Sequence, residues 1–286
     1  MTLSLDVLSL APVTQVAGAS VPPRWAHHPV VVAEAAHGGW DASHVWHDDD
    51  AFLVRLRWRE RIDGGRSLVV DHDAAGVSVL AVGGAEGAAR LLLAAEAELR
   101  PGGLGPVVRA SMPRGTYAAV SAAGARDGLT VPPPFDHAPF DAWDWYAVTE
   151  PPAAVPGEER VVELVGDAGR AAATACLAVA NPDGELPVGE PRSRWWGWHD
   201  DDGVVRAVAG ASRRVPGRPW TLGSIGTDPA WRGRGIGAAV TASATRAGLA
   251  EAPMVTLGAY AHNAAARSVY RRLGYVLGQE FESSRP

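Results

Sequence analysis

The chain has 286 residues, 47% apolar and 20% charged, which fits a folded protein with a sizeable core; at roughly 100–200 residues per domain it has room for two. Its formal net charge of −6 is the wrong sign for gripping a nucleic-acid backbone. All 26 basic residues are arginine, which removes Walker-type phosphate loops, protein-kinase chemistry and Schiff-base enzymes, each of which needs a lysine amine.

The single cysteine, Cys176, excludes an internal disulfide or a cysteine-rich zinc module and reads as a buried thiol within the small-residue run Ala171–Ala180. The opening MTLSLDVLSL lacks a basic flank and is interrupted by Asp6, so it does not read as a secretion signal. No run approaches about 18 apolar residues, so a cytoplasmic protein without a membrane partner is expected.

After an irregular start around Pro22-Pro23, the alternation of Phe52, Val54, Leu56 and Trp58 against Arg55 and Arg57 predicts an edge-exposed strand. Leu68–Asp71 and Val77–Val82 read as two strands joined by the turn DHDAAG. Ala85–Leu99 is made of strong helix formers and stopped by Pro101-Gly102-Gly103. Short strands are expected at Val107–Ser111 and Tyr117–Ser121. His44-Val45-Trp46-His47-Asp48-Asp49-Asp50 and, more weakly, His27-His28 carry metal-friendly side chains but no defined helix or third distant ligand, so the former reads as polar loop and no metal is expected.

Residues 131–139, VPPPFDHAP, hold four prolines and read as a linker. They divide an N-terminal α+β domain, 1–135, from a second domain, 141–286. In the latter, strands are expected at Trp143–Val148, Trp220–Thr227, Val255–Ala261 and Tyr275–Phe281, and a hairpin from Arg194–Trp198 and Val204–Ala211. Helices are expected at Ala168–Ala180, Gly235–Leu249 and Ala264–Leu273. This interleaving gives an α+β class with helices packed on one mixed sheet. Trp196 and Trp198 share one strand face, chiefly as core.

Between a strand and a helix lies Thr227-Asp228-Pro229-Ala230-Trp231-Arg232-Gly233-Arg234-Gly235-Ile236-Gly237-Ala238. Three glycines in five residues let main chain approach a ligand, and the free amides of the first helical turn favour an anion, phosphate or pyrophosphate above all. Taken alone, the glycines fit a tight structural turn equally well. A Rossmann dinucleotide site is set aside, because the next strand ends in Ala261-His262-Asn263 with no acidic residue for a ribose.

The following helix opens at Asn263, a natural cap, and closes at Gly274. At about 100° per residue, Asn263, Ala266, Tyr270 and Leu273 share one face. On those grounds alone Tyr270 is a core aromatic with its hydroxyl at the rim.

Together the two segments resemble the GNAT superfamily of acyl-CoA-dependent N-acetyltransferases. Arg232, Gly235 and Gly237 fill its Arg/Gln-x-x-Gly-x-Gly/Ala loop; Asn263, Ala266, Tyr270 and Leu273-Gly274-Tyr275 fill its later segment. The resemblance covers about 141–286. It implies a strand that bulges and splays before the loop, with main-chain groups of Ile225, Gly226 and Thr227 meeting the pantetheine arm and one amide polarising the thioester carbonyl. It further implies that the amides of Gly233, Arg234, Gly235, Ile236, Gly237 and Ala238, beside Arg232, hold the pyrophosphate of acetyl-CoA. By the same resemblance Asn263 is expected to contact pantetheine and Tyr270 to protonate the leaving thiolate. The expected acceptor is a primary amine of a small molecule or peptide.

Many relatives carry a glutamate on the strand before the loop as general base. Trp220–Ile225 has no carboxylate, which leaves His199, His262 and Asp200–Asp202 as candidates of low merit. The N-terminal half fits a degenerate copy of the same fold that shapes the acceptor site or forms a subunit interface, as in a homodimer. The rival reading is a non-catalytic acyl-CoA-binding protein, which has no need of a phenol at Tyr270.

Overall fold

A computed structural model of the protein describes residues 13–35, 40, 42–57, 62–63, 66–67, 76–99, 101–213 and 218–284. The leader at 1–10, the end of the first predicted strand at Trp58, and the expected strand Leu68–Asp71 with its turn lie outside them.

The chain divides into two units. Of the described residues, the N-terminal unit holds those of 13–144, 260–262 and 279–284; the C-terminal unit holds those of 145–259 and 263–278. The division falls at Asp144/Trp145, beyond the proline-rich stretch, whose Phe135 is buried against the ring of Tyr117.

In chain order the first unit has β1 (Gln15–Val16), β2 (Ala19–Ser20), α1 (Pro23–Ala26), α2 (Pro29–Ala35), β3 (Ala42–His47), β4 (Ala51–Arg57), β5 (Ile62–Asp63), β6 (Arg66–Ser67), β7 (Val77–Gly83), α3 (Ala85–Glu98), β8 (Val107–Pro113) and α4 (Thr116–Asp127). There follow β9 (Asp141–Val148), β10 (Val161–Glu163), α5 (Gly166–Ala180), β11 (Ser193–His199), β12 (Val205–Ser212), β13 (Trp220–Thr227), α6 (Ile236–Leu249), β14 (Val255–Tyr260), α7 (Ala264–Arg272) and β15 (Val276–Ser284).

Besides His44–His47, which was expected as polar loop and lies on strand β3 paired with β4, two expectations need correction. Tyr117–Ser121 is helical, within α4. The chain turns at Gly115 in the left-handed region, and the buried positions Thr116, Tyr117, Val120 and Gly124 recur at three and four, the period of a helix face. The alanines between them favour helix, and they mimic strand alternation only because alanine suits either environment. Second, β4 is no edge: it pairs antiparallel with β3 on one side and β7 on the other. Arg55 is satisfied from within, its Nε donating to the Leu104 carbonyl at 2.9 Å and its Nη1 to the Ser43 hydroxyl at 2.8 Å.

The strands of the N-terminal unit run in the order β3-β4-β7-β8-β15. β7 and β8 are parallel, joined by α3, and Phe281–Ser284 of β15 pairs antiparallel with Pro113–Ala110 of β8. The C-terminal unit runs β10-β11-β12-β13-β14-β9. Its neighbours are antiparallel up to β13, and β13 and β14 are parallel, joined by α6. Each unit therefore repeats one order: an antiparallel hairpin, a third antiparallel strand, a helix, a parallel strand and a helix. Both faces of β11 are covered: Trp196 and Trp198 enter one core with Ala239 and Val240 of α6, and Trp195 another with Ala173 and Cys176 of α5. No helix among the described residues is long and apolar enough to cross a membrane.

Candidate functional site

β13 is irregular on both edges. Toward β12 the register passes from Val208↔Gly226 to Gly210↔Gly223, so Ala209 alone opposes Ser224 and Ile225. This is a β-bulge, with Ser224 in the left-handed region at φ 49°. Toward β14 the pairing stops after Leu222↔Leu257. From Gly223 to Thr227 that edge lacks the ladder, and the two parallel strands splay.

The end of β13 leads through Pro229–Trp231 into Gly233, Arg234 and Gly235, all exposed. Gly233 and Gly235 take φ of 77° and 79°, and a side chain added at either would meet open space. Gly235 precedes α6, a helix of 14 residues. The first-turn amides have no carbonyl within the helix to receive them, and the helix dipole adds partial positive charge there. A bare, glycine-lined turn at this helix end fits a pyrophosphate.

The two loop arginines do different things. Arg232 folds back: Nε donates to the Thr227 carbonyl at 3.1 Å and Nη2 to the Ala180 carbonyl at 3.3 Å, tying the end of β13 to the end of α5. Arg234 lies over Trp231, its guanidinium carbon 4.6 Å from the ring centroid, and Arg206 approaches the same ring at 5.3 Å. Arg206 is ion-paired to Asp200 and Asp228.

Tyr270 is buried in the core of the C-terminal unit. Its ring meets Tyr146 edge-on at 6.2 Å and Tyr275 at 6.0 Å. Burial, and secondarily Tyr146, pushes the phenol up to about 12, so it stays protonated and able to donate. Asn263 caps α7, its side-chain oxygen accepting from the Ala266 amide at 3.0 Å. That cap leaves its NH₂ as the group to meet a ligand.

Of the proposed bases, Asp200 is engaged within its own turn and Asp201 pairs with Arg160. The Asp200 carboxylate accepts from Arg206 at 2.7 Å and from the amides of Asp202 and Val204, which builds the β11–β12 turn. The Arg206 guanidinium holds it below the ordinary aspartate value. His262 is exposed and stacked on Tyr260. Cys176 is buried, its thiol pushed up to about 11, which removes it as a nucleophile. In the N-terminal unit His44 and His47 lie on β3, and Asp48 caps the next turn through the amides of Asp50 and Ala51. Among the described residues no group of three acidic, histidine or cysteine side chains is placed to hold a metal ion.

Sequence reasoning missed Ser224 and Asn181, which fix the bulge from behind. The available signals were the glycines flanking Ser224, a mark of strand irregularity, and the Asn181-Pro182 helix stop.

Comparison with known proteins bears on this geometry. Residues 175–275 match the acetyltransferase (GNAT) family. Two curated relatives, the mycothiol acetyltransferases of Mycobacterium sp. strains JLS and MCS, are each 38% identical over 92 residues, covering 27% of this chain and 31% of theirs. The chain thus spans about a third of the length of the curated relatives it matches. Among solved structures, an acetyltransferase of the GNAT family from Colwellia psychrerythraea aligns at TM-score 0.47 and 13% identity, over 93% of this chain and 90% of that one. A GCN5-related N-acetyltransferase from Sphaerobacter thermophilus aligns at 0.47 and 17%, over 82% and 75%. The residues that match the GNAT acetyltransferase family, 175–275, include the bulge, the glycine turn, α6 and Tyr270, so the likeness falls on the site itself.

Proposed function

We propose that the chain is an acetyl-CoA-dependent N-acetyltransferase acting on a primary amine of a small molecule or peptide. The observation that carries this is the coincidence, on one strand–turn–helix, of a bulge splayed from its parallel neighbour and a side-chain-free turn at a helix N-terminus. A slot beside main-chain polar groups and an anion cradle at its end are what a pantetheine arm with a pyrophosphate requires.

In this reading the amides from Gly233 to Ala238 hold the pyrophosphate, and Arg232 fixes the cradle by its two carbonyl contacts. Main-chain groups of Ile225, Gly226 and Thr227 line the pantetheine, with the Ile225 amide directed at the thioester oxygen. An uncharged amine attacks the carbonyl carbon; a C–N bond forms and the C–S bond breaks. The sulfur leaves with the electron pair and takes a proton from the Tyr270 phenol. The nitrogen gives up one proton, and Tyr270 is reprotonated, so the products are an amide and CoA thiol. The acceptor ammonium loses its first proton to water.

The N-terminal unit repeats the strand and helix order without the cradle, and we read it as a copy that has lost donor binding. Calorimetric titration with acetyl-CoA tests the assignment: saturable binding is expected for the wild type and none for Gly235→Glu, which fills the open space above the turn with bulk and negative charge. An amine panel, including a mycothiol-type acceptor suggested by the name of the mycobacterial relatives, is then scored by thiol release. Binding without turnover on any amine would favour the non-catalytic reading.

A further inference from the structure

Building on the acyl-CoA reading, we propose that Ser224 is a positioning residue. Held by the segment Ala180–Leu186, it keeps the β13 bulge open so that the Ile225 amide stays aimed at the thioester instead of returning to the ladder with β12.

Ser224 has φ 49°, a conformation that L side chains rarely adopt and that persists only where the surroundings over-determine it. Here they do. The Ser224 hydroxyl accepts from the Leu186 amide at 2.8 Å and donates to the Leu186 carbonyl at 3.1 Å. The Asn181 side-chain NH₂ donates to the Ile225 carbonyl at 3.2 Å. Arg232 bridges the carbonyls of Thr227 and Ala180. Gly226 is so close that an added Cβ would lie 2.9 Å from the Cβ atoms of Ala180 and Asn181. Each of the four residues from Ser224 to Thr227 is thus tied to, or pressed on, the turn that ends α5.

The consequence follows from strand chemistry. A bulge without such ties is free to relax toward ordinary β geometry, and its unpaired amide then finds a carbonyl on the neighbouring strand. A donor aimed at a reacting carbonyl has to be held before the reaction, because its value lies in needing no reorganisation. The Ala180–Leu186 turn supplies that hold from the side of the sheet covered by α5. It acts through Ser224 and touches no reacting atom.

Two substitutions test it from opposite sides. Ser224→Ala removes both Leu186 hydrogen bonds. Gly184→Ala keeps every donor and acceptor but puts a Cβ 2.7 Å from the Ser224 oxygen, displacing it. The readout is isotope-edited infrared spectroscopy of acetyl-CoA carrying ¹³C at the thioester carbonyl. In the wild type, the bound carbonyl band is expected below its frequency in water. Both variants are expected to lose that downshift while binding CoA thiol, which has no acyl carbonyl, within about threefold of wild type. On an amine identified in the panel, kcat is expected to fall at least about tenfold, with KM for acetyl-CoA little changed. Should Ser224→Ala fail to fold by circular dichroism, Gly184→Ala decides. An unaltered downshift in a folded variant that binds acetyl-CoA overturns the role of Ser224 alone. Failure of the wild type to bind acetyl-CoA overturns the acyl-CoA reading and this inference with it.

Discussion

The side chain of Gln279 receives the Gly83 amide at 3.0 Å and returns an N–H to the Gly83 carbonyl at 3.4 Å, across 196 residues of sequence. Gly83 ends β7 and only Gly84 separates it from α3, where the C-terminal unit has the eight residues from Asp228 to Gly235. The Gly84 amide donates to the Asp50 carbonyl at 2.8 Å, and a Cβ on Gly83 would lie 2.3 Å from the same oxygen. The position that is an open cradle in one unit is closed in the other by the chain's own groups. The expected stoichiometry is therefore a single acetyl-CoA per chain. Calorimetry that resolved two sites would contradict it.

Tyr270→Phe tests proton delivery to the leaving group. Loss of a general acid costs roughly 10²–10⁴ in rate, so kcat is expected to fall by about that range with acetyl-CoA affinity preserved. The phenol is held near 12, far above neutrality, so its ionisation lies beyond the usual assay range. The wild-type rate profile should accordingly show no alkaline decline from this group below about pH 10. An alkaline limb that appears in the wild type and disappears in Tyr270→Phe would be the contrary result.

His28 sets a pH limit on the N-terminal unit. Its Nδ1 is buried without a hydrogen-bond partner, and burial, with Arg24 nearby, lowers its pKa to about 4 from an ordinary 6.5. The unfolded chain takes a proton that the folded chain refuses, so this stability is complete above about pH 6.5 and is lost as pH falls toward 4. The loss amounts to about 2 kcal/mol, allowing for the partial exposure of the ring. Denaturant titrations at pH 7 and pH 4.5 should show this acid loss in the wild type and a smaller one in His28→Phe.

Arg114 joins strand ends in the N-terminal unit. Asp144 is wholly buried, and Arg114 donates to its carboxylate at 2.6 Å and to Glu280 of β15 at 2.6 Å. Arg114→Ala takes the guanidinium away from this buried carboxylate and is expected to cost about 3 kcal/mol. Paired with Asp144→Asn, the double substitution should cost less than the sum of the two. Additive effects in thermal or urea melts would deny the coupling.

What was legible in the sequence was local. The run from Trp220 to Thr227, the glycine turn and the helix after it carry their own signals in strand alternation, absent side chains and good helix formers, and the structure reproduces their bounds within a residue. The Asn263 cap and the Gly274 stop of α7 were equally plain, because a cap needs only residues three apart. The Tyr117 helix was misread for the same locality: its alanines fit either period, and burial of Tyr117 and Val120 chose between them.

Other features depended on partners far away in sequence. No local pattern says that β15 pairs with β8, because strand pairing is settled by which edge is left open once the chain has folded. Likewise the sequence by itself determined that the turn at Gly233 and Gly235 is bare, through the side chains they lack. Only the tertiary structure decided that Ser224 is held at a positive φ, because the bonds that hold it come from Leu186, 38 residues earlier, and a strained backbone is stable only when remote groups brace it.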